Sequence, residues 1–129
     1  MRKTTKNILD QVNFPKDLKK IPVEKLSKLC TEVREFLVET VAKTGGHFGS
    51  NLGVVELTVA LHKVFDTPKD KIIWDVGHQA YAHKVLTGRK DKLHTIRSYG
   101  GLAPFLKPEE SEYDTVSTGH TSTSISAAV

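Results

Sequence analysis

From Val23 onward the apolar residues recur at helical spacing. Leu26, Leu29, Cys30, Val33, Phe36, Leu37 and Val41 follow one another at steps of three and four, which puts them on one broad helix face. Glu24, Lys25, Lys28, Glu32 and Glu35 take the opposite face. The paired Gly45-Gly46 predicts the end of this helix, because glycine adopts the positive φ that a helix stop requires. A second helix is predicted to follow, capped by Ser50 or Asn51, with Val54, Leu57, Leu61 and Val64 as its buried stripe and an end near Asp66, ahead of Pro68. Residues 71–76 form a short apolar run closed by Gly77, the one strong strand candidate. A short helix is expected from about Gln79 to Leu86, stopped by Gly88, and residues 90–96 suit another helical turn or two. Gly100-Gly101 and Pro104 mark a loop, residues 109–114 read as polar and exposed, and residues 121–129 begin a helix built from small side chains.

Helices alternating with a strand imply an α/β architecture, but one strand is not a sheet. The expected fold class is therefore an α/β three-layer sandwich (α/β/α) with a parallel sheet, incomplete in this chain. Its remaining strands are expected from sequence past residue 129, so the chain reads as a fragment. The division is a lead-in over residues 1–22, read as irregular with Pro15 and Pro22 as punctuation, and the beginning of the domain proper over residues 23–129.

Composition narrows the function class. With 38% hydrophobic and 26% charged residues the chain has the makings of a folded core rather than a disordered tail. No apolar run approaches the roughly 18 residues that span a membrane, and the basic start lacks the apolar stretch of a secretory signal. Cys30 is the single cysteine, so no internal disulfide can form, and its setting is that of a core thiol in a reducing compartment. The net charge of +4 belongs to the first 28 residues, while the rest is close to neutral. That basic segment has neither aromatic interleaving nor a DNA-binding motif, and reads as a solvated arm rather than a nucleic-acid surface.

Three segments set a histidine directly after glycine: Gly45-Gly46-His47-Phe48-Gly49-Ser50, Val76-Gly77-His78-Gln79 and Thr118-Gly119-His120-Thr121. Glycine allows close backbone approach, and imidazole can donate, accept or change charge near neutral pH. Two of the three stand at predicted helix starts, where free N–H groups favour an anion. Together they suggest a pocket for a phosphorylated ligand, although each pair alone is more often a cap or a packed residue. A metal site is disfavoured: there is no His-Glu-x-x-His and no cysteine pair, and His78 and His83 stand five apart. His62 and His94 read as surface or boundary residues. Neither a Walker motif nor a Gly-x-Gly-x-x-Gly follows the strand candidate.

Residues 34–53, ending Thr44-Gly45-Gly46-His47-Phe48-Gly49-Ser50-Asn51-Leu52-Gly53, resemble the N-terminal signature of the transketolase family. Residues 73–89, with Trp74-Asp75-Val76-Gly77-His78-Gln79, are similar to its deoxyxylulose-phosphate synthase branch. So are Gly100-Gly101-Leu102-Ala103-Pro104-Phe105 and the run from Ser111-Glu112-Tyr113-Asp114 to Gly119-His120-Thr121-Ser122. The resemblance runs from about Leu9 to Val129. It implies a thiamine diphosphate enzyme that takes pyruvate and glyceraldehyde 3-phosphate, releases CO2 and supplies a precursor of isoprenoids, thiamine and pyridoxal phosphate. It further implies a magnesium ion holding the cofactor, a homodimer when full length, and a cytoplasmic setting, or a plastid one in a plastid-bearing organism. Under it, His78, Gly119, His120 and Thr121 would contact the cofactor's diphosphate, and His47 would act catalytically beside the reacting carbon. The alternatives are a fragment of a transketolase proper or a non-catalytic remnant of a split gene.

Three positions depart from the family's pattern. Ala82 stands where many relatives carry proline, Ala103 where many carry histidine, and Thr121 where serine is usual. The family's Gly-Asp-Gly aspartate and asparagine for the metal, and the glutamate that activates the cofactor, are expected beyond Val129. This chain alone is therefore expected to be inactive.

Overall fold

In the computed structural model of the chain, residues 7–46, 48–117 and 128 are described. Five α-helices occur among them: α1 (Pro15–Leu18), α2 (Leu26–Thr44), α3 (Gly49–Leu52), α4 (Val55–Val64) and α5 (Tyr81–Lys84). Short 3-10 turns fill the gaps, including Gly77–Gln79 ahead of α5 and Lys90–Thr95 after it.

The long helix α2 is the organising element and follows the predicted pattern. Leu29, Cys30, Val33, Leu37 and Val41 are buried, with Leu26 and Phe36 packed at the margin. It stops where the glycines stand: Gly45 has φ +75° and its N–H donates to the Val41 carbonyl at 2.8 Å. Against α2 pack Val55 and Val59 of α4, Tyr81 and Ala82 of α5, and Val85, Leu86, Leu93, Ile96 and Leu102 from the later turns.

From residue 7 on, the lead-in, expected to be irregular and solvated, carries a turn at Leu9–Gln11 and helix α1, and this part belongs to the core. Leu9, Val12, Leu18 and Ile21 are buried. Two lysines staple this segment down. Lys63 donates to the carbonyls of Lys19 and Ile21, both at 2.7 Å, and Lys90 donates to those of Leu9 at 2.6 Å and Val12 at 3.0 Å. Glu32, placed on the solvent face by the pattern, is buried instead because it accepts the Leu9 N–H at 2.8 Å. Gly88, at φ +89°, makes room for the Phe14 ring: a Cβ there would lie 2.5 Å from Phe14 Cε1. The segment's described lysines, Lys16, Lys19 and Lys20, therefore sit on a docked element.

Helix α4 turns the opposite way from the expected stripe. Val55, Thr58, Val59 and His62 face inward, while Leu57 is 55% and Val64 71% exposed. The inward polar groups are satisfied: Thr58 Oγ1 donates to the Val54 carbonyl at 2.7 Å, and both ring nitrogens of His62 have partners. With those bonds made, burying Thr58 and His62 carries no unpaired-group penalty. The expected caps Ser50 and Asn51 lie inside α3, which begins at Gly49.

Residues 71–76 do not form a strand, and the parallel sheet of the expected class is not present among the described residues. A parallel strand needs a neighbour to receive its N–H and C=O groups, and none lies alongside among the described residues. The run is used for packing: Trp74 is buried with Ala80 and Leu106, and Ile72 and Val54 lie against them. Among the described residues no helix is long and apolar enough to cross a membrane.

Candidate functional site

His78 sits in the one-turn helix Gly77–Gln79, at the tip of the segment that joins the Trp74 packing cluster to α5. A buried amide holds this turn. Asn51 Nδ2 donates to the His78 carbonyl at 2.7 Å, and the Tyr81 N–H donates to Asn51 Oδ1 at 2.9 Å. Asn51 belongs to α3, directly after the first glycine–histidine segment, so one side chain ties that segment to the second. Tyr81 makes a further link: a Cβ on Gly46 would lie 2.9 Å from the Tyr81 hydroxyl, so only glycine permits this approach.

Behind the turn lies a polar network inside the apolar body. His62 Nδ1 is 3.2 Å from Thr67 Oγ1, His62 Nε2 is 2.9 Å from His83 Nδ1, and His83 Nε2 is 3.0 Å from Asp114 Oδ1. Arg89 clasps Asp114 with two parallel bonds of 2.8 Å and also reaches Glu110 Oε1 at 2.8 Å. Lys84 donates to Glu110 Oε1 at 2.6 Å and to the Ala103 carbonyl at 2.7 Å. Glu110 and Asp114 in turn accept the N–H groups of Ala103 and Lys107.

The two cations and two carboxylates of this cluster balance, which explains how Lys84 and Asp114 can be buried. Burial pushes the His62 imidazole down to about 3, with the neighbouring His83 and Lys19 adding to the shift. Burial also lowers His83, more than its bond to Asp114 raises it, so both rings are neutral at physiological pH. For Asp114 burial works the other way, but the bonds from Arg89 and His83 overcome it and hold the carboxyl well below its usual range.

This polar block pins residues 103–114 onto α5. Asp114, expected to be exposed, is the acceptor at its centre, and His62, expected at the surface, is fully buried. His94 is exposed, in keeping with its pattern.

Comparison with known proteins decides the relationship. The family model described as 1-deoxy-D-xylulose-5-phosphate synthase, in its N-terminal part, matches residues 9–129. The chain belongs to the 1-deoxy-D-xylulose-5-phosphate synthase family. The enzyme of that name from Halothermothrix orenii is 64% identical over 123 residues, and the one from Syntrophomonas wolfei 62% over 122. That of Chromobacterium violaceum is 61% identical over 122 residues. Each alignment covers 95% of this chain, which spans about a fifth of the length of these relatives.

Of the site residues expected from the sequence, His78 is described, half-buried in its turn. His47, Gly119, His120 and Thr121 lie outside the described residues. Among the described residues no group of three His, Cys, Asp or Glu could hold a metal ion. The reading by motif missed Asn51, His62, His83, Arg89 and Asp114. A signal for part of this set was present: His83-Lys84 interrupts the run Ala80-Tyr81-Ala82 and Val85-Leu86. Two ionisable residues inside an apolar helix demand buried partners, and Glu110 and Asp114 were candidates.

Proposed function

We propose that this chain forms the N-terminal share of a thiamine diphosphate-dependent synthase. That enzyme joins the two-carbon unit of pyruvate to glyceraldehyde 3-phosphate, releasing CO2 and forming 1-deoxy-D-xylulose 5-phosphate. The observation that carries the reading is the match at 61–64% identity over 95% of the chain. The Asn51 clamp on His78 supports it locally, because it joins two of the three glycine–histidine segments. When bound, thiamine diphosphate supplies the electron sink for the carbon chemistry.

The residues present fit part of that group. An imidazole beside Gly77, in a turn whose backbone is fixed by Asn51, suits the oxygens of a diphosphate. His78, Gly119, His120 and Thr121 are the proposed diphosphate contacts, and His47 is the proposed catalytic residue beside the reacting carbon. The described residues do not supply a magnesium site. The three-layer α/β fold, the homodimer and a cytoplasmic setting are part of the same proposal.

The test grafts residues 1–129 onto the remainder of the Halothermothrix orenii relative and titrates thiamine diphosphate. His78→Ala and His120→Ala are expected to raise the half-saturating cofactor concentration roughly 10- to 150-fold, the equivalent of one bond to a charged group. His47→Ala is expected to bind cofactor nearly normally and lose rate by roughly 10²- to 10⁴-fold. If His47→Ala weakens cofactor binding as much as His78→Ala does, the division of roles is wrong. The 129 residues alone, supplied with cofactor, magnesium and both substrates, are expected to give no turnover.

A further inference from the structure

The segment that carries His78 is closed at its base as well as clamped at its tip. Trp74 precedes His78 by four residues and His83 follows it by five, and their rings meet with centroids 5.8 Å apart at an interplanar angle of 59°. Asn51 fixes the tip from outside through the His78 carbonyl and the Tyr81 N–H. The base depends on the orientation of the His83 ring, and that orientation is dictated by a chain of one-way hydrogen bonds.

Asp114 offers only acceptor oxygens, so His83 must carry its proton on Nε2. His83 Nδ1 is then a lone pair facing His62, which must carry its own proton on Nε2. His62 Nδ1 is left as an acceptor, and the Thr67 hydroxyl donates to it. A proton added to this line would put a third positive charge beside Arg89 and Lys84, which already balance Glu110 and Asp114.

We propose that His83 is a positioning residue for His78: it closes residues 74–83 into a fixed loop by packing against Trp74, and the relay Thr67–His62–His83–Asp114 holds its ring in one orientation. The importance of that loop rests on the proposed role of His78, but the positioning itself needs no cofactor to be observed. The indole Nε1 of Trp74 has no hydrogen-bond partner among the described residues. The closure therefore works through ring packing, and a phenyl ring can replace the indole.

Nitrogen NMR of the histidine side chains, recorded on the 129-residue chain near neutral pH, tests the relay. His62 and His83 are both expected as neutral Nε2–H tautomers with slowly exchanging ring protons. A His83 found as the Nδ1–H tautomer, or protonated, overturns the proposal.

Amide exchange tests the positioning. Trp74→Phe should leave Ala80 and Tyr81 within about twofold of their original rates. Trp74→Ala and Asp114→Asn should accelerate those two amides by roughly tenfold or more relative to the amides of α2. Asp114→Asn should also scramble the tautomers of both histidines, since its amide can donate to His83 Nε2. Acceleration of α2 and the loop by the same factor would mean a merely structural role and overturns the proposal. If Trp74→Ala fails to fold, the unaltered chain and Trp74→Phe still decide it, because a loosened loop in Trp74→Phe or the wrong tautomer refutes it. Neither failure touches the proposed activity, which stands or falls with the cofactor titration of the His78 variant.

Discussion

Mild acid should destabilise this chain before most of its carboxylates are protonated, and His62 sets the size of the effect. The ring is fully buried and its pKa lies at about 3, against 6.5 for a free histidine. A base whose pKa is lowered by folding binds fewer protons in the native state than in the unfolded one, so stability falls as pH drops below 6.5 and continues to fall until the folded pKa is reached. One proton costs about 1.4 kcal/mol per pH unit across that window. Between pH 7 and 4.5 His62 alone should remove about 2.5 kcal/mol, a large part of the roughly 5–15 kcal/mol that holds a small domain together. His83 acts in the same direction. Asp114 has the opposite sign of shift, so its contribution is intact above pH 4 and is lost only below its ordinary range. Urea titrations at half-unit pH steps measure the slope, and the proton count follows from it. In His62→Gln the slope should fall by about 1.4 kcal/mol per unit, the share of one proton. A stability constant to within about 0.5 kcal/mol from pH 7 to 4.5, or an unaltered slope in the variant, would refute the neutral, buried imidazole.

Two substitutions test the docking of the lead-in and the orientation of α4. Gly88→Ala puts a side chain at φ +89° and 2.5 Å from the Phe14 ring, and should cost about 1–3 kcal/mol by urea midpoint, with the steric part relieved in a Phe14→Ala background. Leu57→Asp should change stability by about 0.5 kcal/mol or less, because Leu57 faces solvent, whereas Val59→Asp buries an unpaired carboxylate and should abolish the cooperative transition. Equal effects at the two positions would mean that the helix faces the other way.

How much of the fold was legible depended on whether the sequence offered one answer or two. In α2 the apolar positions form a single stripe ended by two glycines, and the helix, its buried face and its stop all agree with the pattern. In α4 there are two stripes. Val54, Leu57, Leu61 and Val64 recur as well as Val55 and Val59 do, and apolar periodicity favours the wrong one because it counts Thr58 and His62 as polar. Their partners decide the orientation. The run 71–76 failed differently: its composition suits a strand, but a strand exists only beside another. For the lead-in, the count of lysines obscured that Lys63 and Lys90, far along the chain, cap its carbonyls.

The candidate site divides along the same line. A glycine beside a histidine is a local feature, so the turn holding His78 could be singled out from adjacent residues. The bonds that fix the turn are not local: Asn51 is 27 residues from His78, His62 is 21 from His83, and Asp114 is 31 from His83. Taken singly, none of them announces a buried partner: Asn51 reads as a helix cap, His62 as a surface or boundary residue and Asp114 as part of an exposed polar stretch. What betrays them is a mismatch between type and setting. An apolar run from Ala80 to Leu86 that contains His83 and Lys84 must find partners for them, and the acids that serve must come from a segment otherwise dismissed as a polar loop. Residues 103–114 lie on α5 because the buried cations need them there. The interactions that hold the His78 turn are thus visible in the sequence only as an unbalanced account of buried polar groups, and the fold shows which partners balance it.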